Sequence, residues 1–288
     1  MKWFWTFIIA VLILCLGISY KCYSELRQQL DLHFTEDKSN SPLLKTAVTK
    51  YFISSNHQKL AYWYFPVKNA KAVVILVHGF SNPGGKTQMI PHVEYLQKAG
   101  YTTIVPDLRS FGESEGQKIS LGSQEWHDVV DVYNLVKSFP ENKNKKVGYL
   151  GVSMGASTVI VAAAQSGLGD FVIASVPFKS FDSLAKFRLK DNKYLPIIMP
   201  FMKLASYFEL GLNYPKYFPE TNIGKIHVPI LIFQAQKDEF VNKNDAQDLY
   251  NLANSPKYFW SAASPHDIHY NLPSDFELHV LSFLAKIH

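Results

Sequence analysis

One serine in this chain stands where a reactive alcohol could be made. Gly151-Val152-Ser153-Met154-Gly155 is a G-x-S-x-G pattern. Composition alone produces such a match in roughly one chain in ten of this length, so its surroundings decide its meaning. The apolar run 147–152 leads into it and the small-residue stretch 156–165 follows. That order predicts strand, sharp turn and helix, the geometry that presents a serine hydroxyl at the carboxyl end of a sheet. The flanking glycines then have a steric reason, because the turn strains the serine backbone and brings neighbouring chains close. The following helix aims the positive end of its dipole at the same point. The competing reading is a glycine-rich structural turn.

A serine hydroxyl is a weak nucleophile at neutral pH. It needs an imidazole to take its proton, and a carboxylate to hold the imidazole's tautomer and steady its charge. Two later loops supply both, in the chain order serine, acid, histidine. Beyond the predicted strand 230–234 comes Ala235-Gln236-Lys237-Asp238-Glu239-Phe240-Val241. Beyond the predicted strand 257–260 comes Ser261-Ala262-Ala263-Ser264-Pro265-His266-Asp267-Ile268-His269-Tyr270. Asp238 and His266 are the candidates, each a few residues past a strand's carboxyl end, where sites in open α/β sheets gather. Glu239 is the alternative acid and His269 the alternative base. The plainer reading of each is a loop residue bonded to backbone. His127 and His279 fall on predicted helices and His33 on a polar linker, so they read as surface or packing groups.

An acyl-transfer site also needs donors for a developing oxyanion. Val77-His78-Gly79-Phe80 follows another predicted strand. The backbone amides of Phe80 and Met154 are the candidate donors, each contributing roughly 3 to 4 kcal/mol to the transition state. His78 precedes the nucleophile and reads as a residue that organises its loop.

These groups can meet only if a sheet brings them to one edge. Residues 48–53 and 60–65 read as a short antiparallel pair around Ser54-Ser55-Asn56. The β-branched runs 72–77, 101–106, 147–152 and 171–176 read as strands buried on both faces. Helical patterns at 92–99, 124–139, 156–165, 246–252 and 276–287 alternate with strands, which predicts a mostly parallel sheet covered on both sides. Residues 180 to about 225 break the rhythm with aromatics, prolines and no clean strand. They predict a helical cap over one end of the sheet. Its aromatics, among them Phe181, Phe187, Tyr194, Phe201, Tyr207, Phe208, Tyr214, Tyr217 and Phe218, either receive an apolar acyl chain or simply pack the cap.

The first residues differ from the rest. Trp3 to Tyr20 carry no charge, and as a helix they span roughly 27 Å, near the thickness of a hydrocarbon core. Residues 1–21 are read as a membrane-spanning anchor, with a cleaved signal (Gly17 and Ser19 being the small residues) or a core helix as alternatives. Residues 22–46 are read as a juxtamembrane helix and linker, and 47–288 as the enzymatic domain. Cationic residues balance across the run, but a single N-terminal anchor works as an export signal, so the body is placed outside the cytoplasm.

Composition limits the other possibilities. The 288 residues are 47% hydrophobic and 18% charged, enough for a substantial core. A formal charge of +5 with scattered basic residues, and a Lys143, Lys145, Lys146 cluster that reads as a solvated turn, leave no nucleic-acid footprint. The two cysteines, Cys15 and Cys22, lie in or beside the apolar run, so the body has no disulfide framework and no thiolate metal site.

From about residue 47 onward the chain resembles the α/β-hydrolase esterases, lipases and related serine hydrolases, especially small membrane-anchored or exported bacterial ones. The resemblance rests on His78-Gly79-Phe80, the stretch Asp107-Leu108-Arg109-Ser110-Phe111-Gly112-Glu113-Ser114-Glu115-Gly116, the turn around Ser153, the acid segment from Pro229 to Val241, and His266. Ser110 replaces a usual glycine of the D-x-R-G-x-G-x-S loop. Ala235 stands where the acid segment often has glycine, and Ala263-Ser264-Pro265 lack the glycine usual before the histidine. The resemblance implies the α/β-hydrolase fold, with Ser153, Asp238 and His266 as triad and Phe80 and Met154 as oxyanion donors. It implies neither metal nor organic cofactor. The expected activity is hydrolysis of a small carboxylic or acylglycerol ester through an acyl-enzyme. A serine peptidase or amidase, or a non-catalytic binding protein on the same scaffold, are the alternatives.

Overall fold

The computed structural model describes residues 2–33, 41–45, 47–81, 84–211, 213–266, 273 and 275–287, with side chains described from Ile8 onward. Its frame is an eight-stranded sheet in the order β1-β2-β4-β3-β5-β6-β7-β8. The strands are β1 (Lys50–Ile53), β2 (Lys59–Phe65), β3 (Val73–Val77), β4 (Thr102–Pro106), β5 (Val147–Val152), β6 (Val172–Ser175), β7 (Ile230–Ala235) and β8 (Lys257–Ala262). β2 pairs antiparallel with β1 and with β4; every pairing from β4 across to β8 is parallel. Parallel strands need crossover helices, and these cover both faces.

The helices are α1 (Lys2–Leu30), α2 (Ile90–Lys98), α3 (Glu125–Ser138), α4 (Met154–Ser166), α5 (Phe181–Arg188), α6 (Leu195–Glu209), the single turn α7 (Pro219–Asn222), α8 (Lys243–Leu252) and α9 (Phe276–Ala285). Period two in the central strands splits the core. Val73, Ile75 and Val77 of β3 face the layer of α3, α4 and α8, while Val74 and Leu76 face α2 and α9. Each fully buried Val, Leu or Ile contributes roughly 1.5 to 3 kcal/mol. These strands are therefore held by their faces as much as by their ladders.

Among its described residues the 180–225 interval contains no strand. α5, α6 and α7 fill it, between β6 and β7. Four of its aromatics pack together: Tyr214 meets Phe181, Tyr207 and Phe218 at centroid distances of 6.1, 5.0 and 5.7 Å. Tyr194 and Phe208 are exposed.

α1 does not stop where the apolar run meets Lys21. It continues to Leu30, which is buried and joins the core against the α3–α4 face. The Ile119 amide donates to the Leu30 carbonyl at 2.8 Å, tying the helix end to the body. Part of the predicted linker, 34–40 and 46, lies outside the described residues. Among these residues α1 is the one helix long and apolar enough to cross a membrane.

Candidate active site

Ser153 occupies the turn between β5 and α4, with φ 55° and ψ −118°. A serine held there costs of order 1 to 3 kcal/mol and persists only because its surroundings impose it. The two glycines show how. A Cβ on Gly155 would lie 2.1 Å from the Val77 carbonyl oxygen, and one on Gly151 would lie 2.3 Å from the Gly155 carbonyl oxygen. α4 therefore sits directly on the ends of β3 and β5. The Ser153 amide donates to the Ser175 carbonyl of β6 at 2.8 Å, and the Ser157 amide closes the first helical turn on Ser153. The hydroxyl is left at the carboxyl edge of the sheet.

His266 and Asp238 reach that edge from β8 and β7. The ladder between these strands runs to Ala235 opposite Ala262. Beyond it, Gln236 donates to the Ala262 carbonyl and Lys237 to the Ser264 carbonyl, at 2.9 and 3.0 Å. The two loops are thus held side by side by backbone bonds where the resembled family uses glycines. His266 Nε2 lies 2.9 Å from Ser153 Oγ, and its Nδ1 lies 2.7 Å from Asp238 Oδ2. The other carboxylate oxygen, Oδ1, accepts from the amides of Phe240 and Val241, each at 2.8 Å. The Asp238 side chain is 2% exposed and that of His266 17%. An acceptor-only carboxylate at Nδ1 requires the proton there, leaving the Nε2 lone pair to receive the serine proton. Glu239 is not among the groups bonded to this histidine, and His269 lies outside the described residues.

The loop after β3 completes the edge. Phe80 and Met154 line the same cavity as Ser153 and His266. His78 is fully buried, and burial pushes its pKa down. Its Nε2 accepts from the Leu108 amide at 3.0 Å, and its Nδ1 donates to the Gly79 carbonyl at 2.8 Å. It ties the β3 and β4 loops together. Gln88 was not singled out in the sequence, yet its Oε1 accepts from the Gly79 amide at 3.1 Å. No motif marks it; only its position beneath this loop does.

The Asp107 stretch is a second feature whose partner no local pattern announces. Lys86 is fully buried, 2.7 Å from Asp107 and 2.9 Å from Glu113, with its ammonium 4.7 Å from the Trp63 ring centre. Asp107 also accepts from the Lys86 and Glu113 amides. Burial alone would raise the Glu113 pKa, but hydrogen bonds from Tyr51, Lys86 and Thr49 outweigh it and bring it to about 2. Arg109 makes a forked pair with buried Asp128. Ser110, where the family has glycine, has φ +65°, a left-handed conformation that costs a non-glycine residue roughly 1 to 2 kcal/mol.

A cavity of about 750 Å³ opens beside Ser153. Its wall is mostly apolar: Leu26 and Leu30 of α1, Phe181, Leu184 and Ala185 of α5, Met202 of α6, and Phe178, Leu121 and Val241. Arg188 and Phe240 stand at its edge, the guanidinium 5.0 Å from the Phe240 ring centre and that ring 5.3 Å from His266. Among the described residues no three His, Cys, Asp or Glu side chains converge as a metal-ligand group. The arrangement can make a serine alkoxide-like nucleophile beside an apolar slot.

Comparison with known proteins agrees with this fold. The model of the family described as serine aminopeptidase, S33 matches residues 68–197, which include β3, β5 and Ser153. The YqkD protein of Bacillus subtilis is 28% identical over 194 residues, 66% of this chain and 62% of its own length, so the match spans less than two thirds of that relative. The mouse serine hydrolase BPHL is 25% identical over 260 residues, covering 83% of this chain and 87% of its own. Among solved structures, the Pyrococcus furiosus esterase Pf2001 superposes with a TM-score of 0.68 at 22% identity, covering 88% of this chain and 98% of its own. Strand order, crossover helices and the serine-bearing turn point the same way as these likenesses: the chain has the α/β-hydrolase fold.

Proposed function

We propose that the protein is a serine hydrolase of carboxylic esters carrying an apolar acyl group. The observation that carries this reading is the continuous hydrogen-bond line Asp238–His266–Ser153 at the mouth of the apolar cavity. Ser153 Oγ attacks the ester carbonyl carbon while its proton passes to His266 Nε2. The amides of Phe80 and Met154 stabilise the resulting oxyanion. The carbon–oxygen bond to the alcohol breaks, and that oxygen takes the proton from His266. Water then attacks the acyl-enzyme, gives its proton to the same imidazole, and Ser153 leaves protonated as the carboxylic acid is released. Asp238 steadies the imidazolium in both halves. No step calls for a cofactor.

In the same reading, residues 1–21 anchor the chain in a membrane with the body on the extracytoplasmic side, 22–46 connect, and 47–288 form the hydrolase with a cap over about 180–225. The peptidase alternative draws support from the name of the matching family. An aminopeptide would bring an α-ammonium, however, and the described cavity lining offers no carboxylate to meet it, only the Arg188 cation. The test is twofold. A fluorophosphonate probe should label the wild type and not Ser153→Ala, and a p-nitrophenyl ester should turn over while an aminoacyl anilide does not. Labelling that persists in Ser153→Ala, or faster cleavage of the anilide, overturns the proposal.

A further inference from the structure

The helix that could cross a membrane also forms part of the cavity wall. α1 packs along α6 more extensively than along any other described element. The partly buried positions of α1 include Ile8, Cys15, Ser19, Cys22 and Leu26, a stripe at helical spacing that ends on buried Leu30. Leu26 and Leu30 line the cavity beside Ser153, and so does Met202 of α6. The last turns of the apolar helix are therefore also part of the acyl slot.

The outer side of this helix pair is apolar as well. On α1, Ile9, Leu12, Ile13, Leu16 and Tyr20 are exposed. On α6, Ile197, Leu204 and Phe208 form a row at helical spacing and are 60%, 48% and 66% exposed. Leaving such a row in water forgoes the favourable burial of its apolar surface. Contiguous exposed apolar surface of this kind marks a contact with protein or membrane. Two observations choose the membrane. The row lies on the helix that packs along α1, itself long and apolar enough to span a bilayer. Exposed Lys186, Arg188, Lys190 and Lys193, against one intervening acid, Asp191, lie just before α6, as suits anionic headgroups.

We propose that α1 and α6 form one bilayer-embedded face, and that the substrate is a membrane-resident acyl ester that enters the cavity from the bilayer beside these two helices. This rests on the esterase reading and names the substrate class of the same site. The free-energy logic is simple. An acyl chain moving from bilayer to an apolar slot stays out of water throughout, whereas one arriving from solution must already be dispersed in it.

The experiment uses the full chain in phospholipid vesicles containing anionic lipid, with two substrates. One is a long-chain fluorogenic ester dissolved in the same vesicles, the other water-soluble p-nitrophenyl butyrate. Ile197→Glu and Leu204→Glu alter the outer row and touch neither the cavity nor the reacting groups. The expected result is a loss of at least tenfold on the vesicle-resident ester with butyrate turnover within twofold of wild type. Equal rates on both substrates overturn the proposal. Should either glutamate variant lose both activities through misfolding, Leu204→Gln is read in its place by the same ratio. An activity-independent readout separates the two claims: a lipid carrying a diazirine in its acyl chain should label peptides containing residues 195–209 in the wild type. Labelling confined to α1 overturns the membrane-face proposal even if the enzyme is an esterase. Labelling of α6 without any ester turnover sinks the esterase reading and leaves the membrane face standing.

Discussion

Replacing Asp238 by asparagine tests the site at its most specific point, because the bonds around that carboxylate decide which way the amide must face. Oδ1 accepts two backbone N–H groups, from Phe240 and Val241, while Oδ2 faces His266 Nδ1. An asparagine keeps both backbone bonds only by placing its carbonyl oxygen at the Oδ1 position. Its NH₂ then points at Nδ1, and two donors cannot share one hydrogen bond. The imidazole relieves the conflict by moving its proton to Nε2, the atom 2.9 Å from Ser153 Oγ. It can then no longer accept the serine proton. Turning the amide over instead would leave one NH₂ facing two backbone donors, at roughly 1 to 3 kcal/mol for each bond left unmade. The wrong tautomer is the cheaper outcome. The expected loss is about 10⁴-fold in kcat, near 5.5 kcal/mol in the barrier at about 1.4 kcal/mol per decade. The backbone bonds survive, so the denaturation midpoint should stay close to wild type. Steady-state kinetics on a p-nitrophenyl ester, with urea unfolding alongside, measure both. A loss under tenfold in a folded variant would refute the tautomer argument, and so would a loss explained entirely by reduced stability.

Three further substitutions test the scaffold. Lys86→Met leaves Asp107 buried without its cation and should cost about 3 to 5 kcal/mol in urea unfolding, whereas adding Asp107→Leu should recover part of that loss; a single variant as stable as wild type contradicts the assigned ion pair. His92 is buried against Tyr95 and Phe276, and burial lowers its pKa from 6.5 to about 3. The unfolded chain therefore takes up a proton below about pH 6.5 that the folded chain refuses until near pH 3. Stability from this group is complete above pH 6.5 and falls with acid by up to about 1.4 kcal/mol per pH unit. His92→Phe should flatten the decline between pH 6.5 and 4, and an unchanged slope argues against a neutral buried imidazole.

Much of the scaffold was legible in the chain because periodicity and steric demand are local. The β-branched runs became β3 to β6 within a residue or two at their ends, and the strandless interval became α5 to α7. The pattern at Ser153 was readable for the same reason, since a strained turn between strand and helix demands glycines at fixed offsets. Less was readable where a partner comes from far away. Nothing near Lys86 says that it meets Asp107 and Glu113, 21 and 27 residues on, and nothing near Gln88 marks it as a prop for the Gly79 loop. The aromatics of the 180–225 interval carried two readings. The structure divides them: Tyr207, Tyr214 and Phe218 pack together, Phe181 also faces the cavity, and Tyr194 and Phe208 are exposed.

By itself the amino-acid order determined which residues could carry chemistry and in what succession, because side-chain type and the alternation of strand and helix are written along the chain. Only the tertiary structure decided that Ser153, Asp238 and His266 stand within 3 Å of one another in series. It alone also decided that the apolar N-terminal helix runs on to line their cavity. The reason is that contacts across 28 and 113 residues are fixed by sheet order and loop register. Those depend on how all the faces pack at once, and no single segment carries them.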